Sequence, residues 1–427
     1  MITGKEFIMN YYRFPENKFV KLCIPLLLLA LQMVARSTMY TSTFLGFNRA
    51  QAIMIGLVLV IGIAFLIYNR QNWKQILLDR RMIAFAVAAA VVLVPMVVKQ
   101  DWQLMYFSIL LCWLFAIFLT YFLTVQELAG CYVKIMMVLG IWAVIGQFVL
   151  KPMVNAGVIP AVRFDSPGGW HMYHFGLTFA VDKNIEMDDA ARVFGIFREP
   201  GLYQIFLFVA IQLNNYWVQW KKQWQMWAAN GVLFAALLTT FATGGVLALA
   251  MYIAFLFFDK GLYRDKRLRI LAAALILTGI ILIGVALAQD GTWAYELVGM
   301  VEKVYLQTYS YTARLDSIVA DASYFFANPV FGADMAEVMY SVPNNTATSP
   351  ILFAVFGIVG GCVHVLSWAA LAWKKDRHVL MNLFLMVILF IPFNTQSVIA
   401  DMFFWLFPIM ALTEKGLPLL NDFKKKV

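Results

Sequence analysis

Charge is scarce in this sequence. Asp, Glu, Lys and Arg together make up 13% of the 427 residues, against 62% hydrophobic ones, and mean hydropathy is +0.76. A soluble domain of this size has no use for so much apolar surface, which excludes that class. Cysteine is also sparse: Cys23, Cys112, Cys131 and Cys362 all lie in or beside apolar runs, so no disulfide framework is indicated. There is no nucleotide-phosphate loop, no GxGxxG and no Cys/His cluster. Internal repeats and low-complexity tracts are missing, and so is the two-residue alternation of an outer-membrane barrel. Met1 to Lys21 is polar and mixed in charge but has no small-residue cleavage site; it reads as a cytosolic lead-in to an uncleaved signal anchor.

What remains is a series of apolar runs, each of roughly 15–23 residues, the length a helix needs to cross lipid. They fall near 22–39, 51–68, 82–98, 103–125, 134–150, 202–219, 226–243, 245–258, 270–289, 350–372, 379–395 and 398–413. The expected fold is all-α: a polytopic integral membrane protein of about 12 transmembrane helices, a single membrane domain over the whole chain. Met226 to Phe258 is unbroken grease, with Thr243, Gly244 and Gly245 as the one plausible break. Lys221 and Lys222 before it and the Lys260–Arg269 cluster after it both favour the cytoplasm, so a tight hairpin is expected there.

Placing the short basic connections inside puts most of the 33 basic residues, Lys134 among them, on the cytoplasmic side with both termini. Such a charge distribution argues for membrane orientation, not nucleic acid, despite the net charge of +9. Two long segments, about 151–198 and 290–349, are then extracytoplasmic loops, and the working face is expected there. Within the second, Leu315, Ile318, Val319, Ala322, Phe325 and Phe326 share one face of an amphipathic helix over Ala313–Phe326. Arg314 stands at its start; Ala327, Asn328 and Pro329 end it.

The chemistry-bearing residues gather before the apolar run that starts at Ile205. Pro200 suits a first helical turn, so Glu199 and Pro200 mark a helix start whose free N–H groups and dipole favour anions. Arg192 and Arg198 add planar forks suited to phosphate oxygens. The plainer alternative pairs these arginines and Arg314 with Asp188, Asp189 or Glu199, or with lipid headgroups. Glu199 is either a general base or a dipole-favoured first-turn acid. Gln204, Gln212 and Asn215 share a face that seams the bundle or lines a cavity. Asp401, preceded by Asn394, Thr395 and Gln396, is an ionisable group within the last run, either functional or paired inside the bundle. His171 and His174 form an H-x-x-H pair without an evident third ligand, which favours a loop or interface role over a metal.

Arg192, Gly195, Phe197, Glu199 and Pro200 spell R-x-x-G-x-F-x-E-P, which resembles the signature of bacterial O-antigen and capsule polymerases, often called Wzy. Arg314 followed by Ala327–Gly332 (ANPVFG) resembles the arginine, helix and NPxxG turn of these polymerases and of O-antigen ligases. Asn344 and Asn345 ahead of Gly357 and Gly360 resemble the polar pair that leads into their Gly-x-x-Gly span. The ligases carry a His-Asn-like pair where this chain has Thr346 and Ala347, a departure that disfavours the ligase reading. The resemblance implies a GT-C-like architecture and a glycosyltransferase joining undecaprenyl-diphosphate-linked repeat units at the outer face of the cytoplasmic membrane. It further implies Arg192, Arg198 and Arg314 on the diphosphate, Glu199 or Asp401 as the base, and Gln204, Asn344 and Asn345 around the substrate. No cofactor is expected; the implied partners are the lipid-linked oligosaccharide, the bilayer and a chain-length-regulating co-polymerase. An O-antigen ligase and a lipid-linked oligosaccharide flippase are the alternatives, the latter disfavoured by the lack of two related halves.

Overall fold

The computed structural model describes residues 26–33, 35, 37–41, 46–68, 70, 74, 77–121, 123–160, 162–165, 171–181, 192–270, 272–274, 277, 309–342 and 345–415. It is mostly helical, in keeping with the composition. The helices are α1 (Phe47–Tyr68), α2 (Arg80–Lys99), α3 (Leu104–Leu119), α4 (Val125–Ile145), α5 (Lys151–Asn155), α6 (Pro200–Tyr216), α7 (Gln223–Leu238) and α8 (Thr243–Asp259). After the gap come α9 (Tyr309–Ala327), α10 (Met335–Tyr340), α11 (Thr348–Ala372), α12 (Val379–Phe393) and α13 (Met402–Lys415). The apolar run at 22–39 is described in part and the run at 270–289 lies largely outside the described residues, as do the N-terminal lead-in, Asp188, Asp189 and Asn344.

Among the described residues, three helical stretches are long and apolar enough to cross a membrane: Arg81–Lys99, Val125–Asn155 and Thr348–Ala372. Shorter apolar helices, α3, α8, α12 and α13, accompany them. Many large apolar side chains face outward, such as Val60 (65% exposed) on α1, Val98 on α2 and Val387 on α12. Exposed grease on that scale suits a lipid-facing surface.

The core is built around α13. Every residue from Met402 to Ala411 is buried, because α13 is apolar on all sides and α3, α4 and α11 pack against it. Aromatic pairs fill the seam: Trp113 with Trp405 (5.3 Å between ring centroids), Tyr132 stacked on Phe403 (5.6 Å), and Trp368 against Phe393 (4.4 Å). Specific contacts tie the helix ends. At one end Gln204, near the start of α6, donates to Thr395 after α12, and Thr348 at the start of α11 donates to the Gln396 carbonyl. At the other end Trp217 after α6 donates to Leu371 of α11, and Tyr216 donates to Asp259 of α8. So α6, α8 and α11 run one way and α12 returns.

Three details differ from the sequence expectation. First, the segment after α4 is not a plain loop: it carries an antiparallel three-stranded sheet, β1 (Val162–Asp165), β2 (His171–His174) and β3 (Phe179–Val181), in the order β1-β2-β3. The fold is therefore helical with a small sheet, not purely α. Second, Lys134 lies inside α4, where a connection was expected. A capping box starts that helix early, with Thr124 accepting from the Glu127 N–H and the Glu127 carboxylate accepting from the Thr124 N–H. Third, the 226–258 stretch does fold as a hairpin, but the break is at Thr239–Ala242. The Thr239 and Thr240 hydroxyls bond back to Ala236 and Leu237 and close α7. Gly244 and Gly245 instead lie within α8, where a Cβ at Gly245 would come within 2.3 Å of the Gln204 side-chain oxygen. Their role is close packing against α6, not termination.

Candidate functional site

The site forms where residues 192–199 run into α6. Two backbone pairings hold this segment. Val193 bridges Ala180, with Val181 N–H donating to the Arg192 carbonyl (3.0 Å) and Phe179 N–H to that of Gly195 (2.9 Å), so 192–195 extends the small sheet. Residues 196–198 then pair with 37–39: Met39 N–H donates to Ile196 (2.9 Å), and Arg198 N–H to Ser37 (2.8 Å). Gly195 sits at φ 58°, and the Tyr203 ring lies 3.1 Å from where its Cβ would be, so both conformation and space call for glycine. Phe197 anchors the turn, stacked against Tyr203 (5.1 Å) and Phe206 (4.7 Å). Pro200 then opens α6.

Glu199 is the N-cap residue of α6 by position, in an extended conformation, but its side chain makes no capping bond. The carboxylate turns to other partners. One oxygen accepts from the Gln396 amide at 2.7 Å, and the other lies 3.5 Å from Arg198 Nε, an ion pair with both side chains about a third or more exposed (34% and 42%). The first N–H groups of α6 are therefore not consumed by this side chain.

Arg314 reaches the same place from α9, over a hundred residues along the chain. Burial draws its guanidinium below the usual arginine value; the Glu199 carboxylate opposes that, and the Arg192 charge adds to it. Arg192, Glu199 and Arg314 thus share one electrostatic neighbourhood, with Arg198 paired to Glu199. The face of α9 that turns inward is its polar one: Ser317 and Asp321 are fully buried, while Leu315, Val319 and Phe326 are exposed. This is the amphipathic helix expected from the sequence, with the arginine face toward the protein and the apolar face outward.

The other expected site residues are spread around this centre. Gln204 is buried one turn below Glu199 and donates to Thr395 (2.6 Å). Asp401 is buried just before α13. It accepts from the Phe403 N–H (3.0 Å). Asn345 donates to Asp321 (2.7 Å) and to the Val338 carbonyl (3.0 Å), which latches the segment before α11 onto α9. Burial pushes the Asp321 carboxyl up to about 7, against the Asn345 hydrogen bond, which lowers it. Gln212 accepts from Tyr252 and Asn215 pairs with Asn230, so both belong to the bundle interior. His174 contacts the Tyr40 hydroxyl (3.1 Å) and the Gly176 carbonyl (2.7 Å).

The structure gives two contributors a role that the sequence alone does not. Gln396 is the nearest polar contact of Glu199; the signal was a run of three polar residues, Asn394–Gln396, in an apolar stretch. The second is a joint that places α9. Gly332 (φ 70°) and Gly357 (φ 62°) are packed face to face; a Cβ on either would lie 2.2 Å from a carbonyl oxygen, of Val355 and Val330 respectively. Backbone bonds cross it, Ala333 N–H to Ala354 (2.7 Å) and Ile358 N–H to Pro329 (2.8 Å), and α11 bends there. Lys99, at the end of α2, donates to the Ala333 (2.8 Å) and Val355 (3.0 Å) carbonyls and satisfies oxygens that the bend leaves open. The NPxxG turn and the Gly-x-x-Gly span are therefore two halves of one joint.

The fold and site together define a helical protein with apolar, membrane-length helices and a polar cationic centre at one end of its bundle. No family model matches the chain, and a search of curated proteins finds no match.

Proposed function

We propose that the protein is a glycosyltransferase that polymerises undecaprenyl-diphosphate-linked oligosaccharide repeat units at the outer face of the cytoplasmic membrane of a bacterium. The observation that carries this reading is the Arg198–Glu199 pair at an anion-favouring helix start, with Arg314 within electrostatic reach of both the Glu199 carboxylate and the Arg192 charge. A hydroxyl of one repeat unit attacks the anomeric carbon of another chain. Glu199, held by Gln396 and half exposed, accepts the hydroxyl proton as the new C–O bond forms. The anomeric bond to the diphosphate breaks with inversion, and undecaprenyl diphosphate leaves with the bonding pair. Its developing charge is met by the arginine forks and the α6 N–H groups, all in place beforehand. Asp401, buried and bonded to the α13 backbone, acts as a positioning residue at the start of that helix.

Chromosomal deletion, complementation and a gel of surface polysaccharide test this. A deletion strain should show single-repeat products. Loss of all attached polysaccharide would indicate a ligase, and repeat units trapped inside would indicate a flippase. Complementation with Arg198→Lys or Arg314→Lys should fail to restore long chains, because loss of one such donor costs on the order of 10²–10³ in rate. Arg163→Ala, which removes a side chain lying over the Tyr173 ring, should restore them. Wild-type ladders from both lysine variants, at normal protein level, would remove the arginines from the mechanism.

A further inference from the structure

At the opposite end of α6 from Glu199 lies a second cationic centre, built around Tyr216. Its hydroxyl donates to Asp259 Oδ2 (2.7 Å), the last residue of α8. Three cations surround its ring: Lys374 Nζ at 4.7 Å from the centroid, Lys260 Nζ at 4.8 Å and the Arg377 guanidinium at 5.0 Å. The Arg377 side chain is 95% buried, with 5% exposed. Its Nε donates to Asp259 Oδ1 (2.6 Å), and Nη1 to Ala372 O (3.2 Å) and Asn382 Oδ1 (3.0 Å). Its Nη2 has no hydrogen-bond partner among the described residues. Lys260 Nζ makes one longer bond, to the Asn215 carbonyl at 3.3 Å.

Three positive charges here face one carboxylate. Cation–π contact offsets part of that excess, and the Arg377 guanidinium also lies 5.0 Å from the Phe255 ring, but aromatic rings are weak partners for two ammonium groups and a guanidinium at once. A buried guanidinium N–H pair without an acceptor is costlier still. Burial and the neighbouring Lys374 both draw the Lys260 ammonium below its ordinary value, as expected of like charges held together. An anion with several oxygens would relieve all three strains. The chemistry is that of a phosphate: one Arg N–H pair still to be satisfied and two mobile ammonium groups able to swing from the ring onto the remaining oxygens. Exposed apolar and aromatic side chains flank the centre, Phe258 and Tyr263 among them, as expected beside the headgroup layer of a bilayer.

We infer that Tyr216, Lys260, Lys374 and Arg377 form a phosphate-group site at the end of the bundle that the charge distribution assigns to the cytoplasm, occupied by an anionic phospholipid headgroup or by free phosphate. The inference is independent of the chemistry proposed at Glu199.

The test uses the purified full-length protein and its melting temperature. It is reconstituted in phosphatidylcholine nanodiscs, in the same discs with phosphatidylglycerol added, and in phosphatidylcholine discs with inorganic phosphate in the buffer. The double variant Lys260→Gln, Lys374→Gln is compared in each. Both lysines are partly exposed and Arg377 keeps its Asp259 bridge, so the variant should fold. Wild type should gain about 2 °C or more from a phosphate source, through preferential binding to the folded state. The double variant should lose that gain. A gain from phosphatidylglycerol alone identifies a lipid headgroup; an equal gain from inorganic phosphate identifies a soluble ligand. No gain in wild type, or an equal gain in the variant, would overturn the inference.

Discussion

Glu199 shows how one residue can look ordinary in sequence and specific in structure. A glutamate before a helix-opening proline is expected to serve the helix dipole, yet its side chain makes no capping bond and is held between Gln396 and Arg198. Glu199→Gln keeps the shape and an acceptor for Gln396 but loses basicity. Its product yield should fall by roughly 10²–10⁴ with the melting temperature unchanged, the range expected for loss of a general base; full-length ladders from this variant would return Glu199 to a structural role. Asp321 makes a separate, pH-dependent prediction. In the folded chain its carboxyl holds a proton up to about pH 7, whereas an unfolded aspartic acid releases it near its ordinary value. Stability contributed by that proton is complete in acid and lost as pH rises through 7. The wild-type melting temperature should therefore climb between pH 8 and pH 6, and Asp321→Asn, still able to accept from Asn345, should flatten that portion of the curve. An unchanged slope would mean that another group sets it.

Helices and turns were legible in the sequence where one local signal dominated. Pro200 marked the start of α6, and the 3.6-residue spacing of apolar side chains marked α9. Where two signals competed, the apolar one misled. Apolar-run length makes Val125 to Lys134 the end of one run and a connection, although Thr124 and Glu127 spell a capping box. Gly244 and Gly245 suggest a break, although glycine in an apolar run equally permits close approach, which is their role against Gln204. The small sheet was missed because its strands are three or four residues long, too short for alternation to show. The joint at Gly332 and Gly357 could be seen as two motifs but not as one contact, since no local rule pairs turns 25 residues apart. Gly357→Ala forces a Cβ against the Val330 carbonyl at positive φ. It should lower the melting temperature by several degrees and release α9 from its place, while Gly231→Ala, where a Cβ meets open space, should not. Equal melting temperatures for the two would refute the joint.

At the scale of the molecule, the two ends of the bundle are chemically different. One end gathers the small sheet, α9 and the Arg198–Glu199 pair with Arg314 and Arg192 acting on one another nearby; the other carries short basic connections and the Tyr216 centre. Cations at the first end fall into two groups. Lys99, Lys151 and Arg163 serve the scaffold: Lys99 holds carbonyls at the glycine joint, Lys151 donates to Val181 (2.8 Å) and Arg163 covers the Tyr173 ring. Arg198 instead pairs with Glu199, and Arg314 feels both that carboxylate and the Arg192 charge. That asymmetry suits an activity at one face, using a donor whose lipid tail stays in the bilayer and whose diphosphate is its own leaving group. The claim is tested most directly with the purified full-length protein in bilayer nanodiscs, supplied with undecaprenyl-diphosphate-linked repeat units and no nucleotide. A ladder of lengthened oligosaccharide should form with stoichiometric release of undecaprenyl diphosphate, and both should be lost in Arg314→Lys. Absence of any ladder from the wild-type protein, or an undiminished one from Arg314→Lys, would contradict the account.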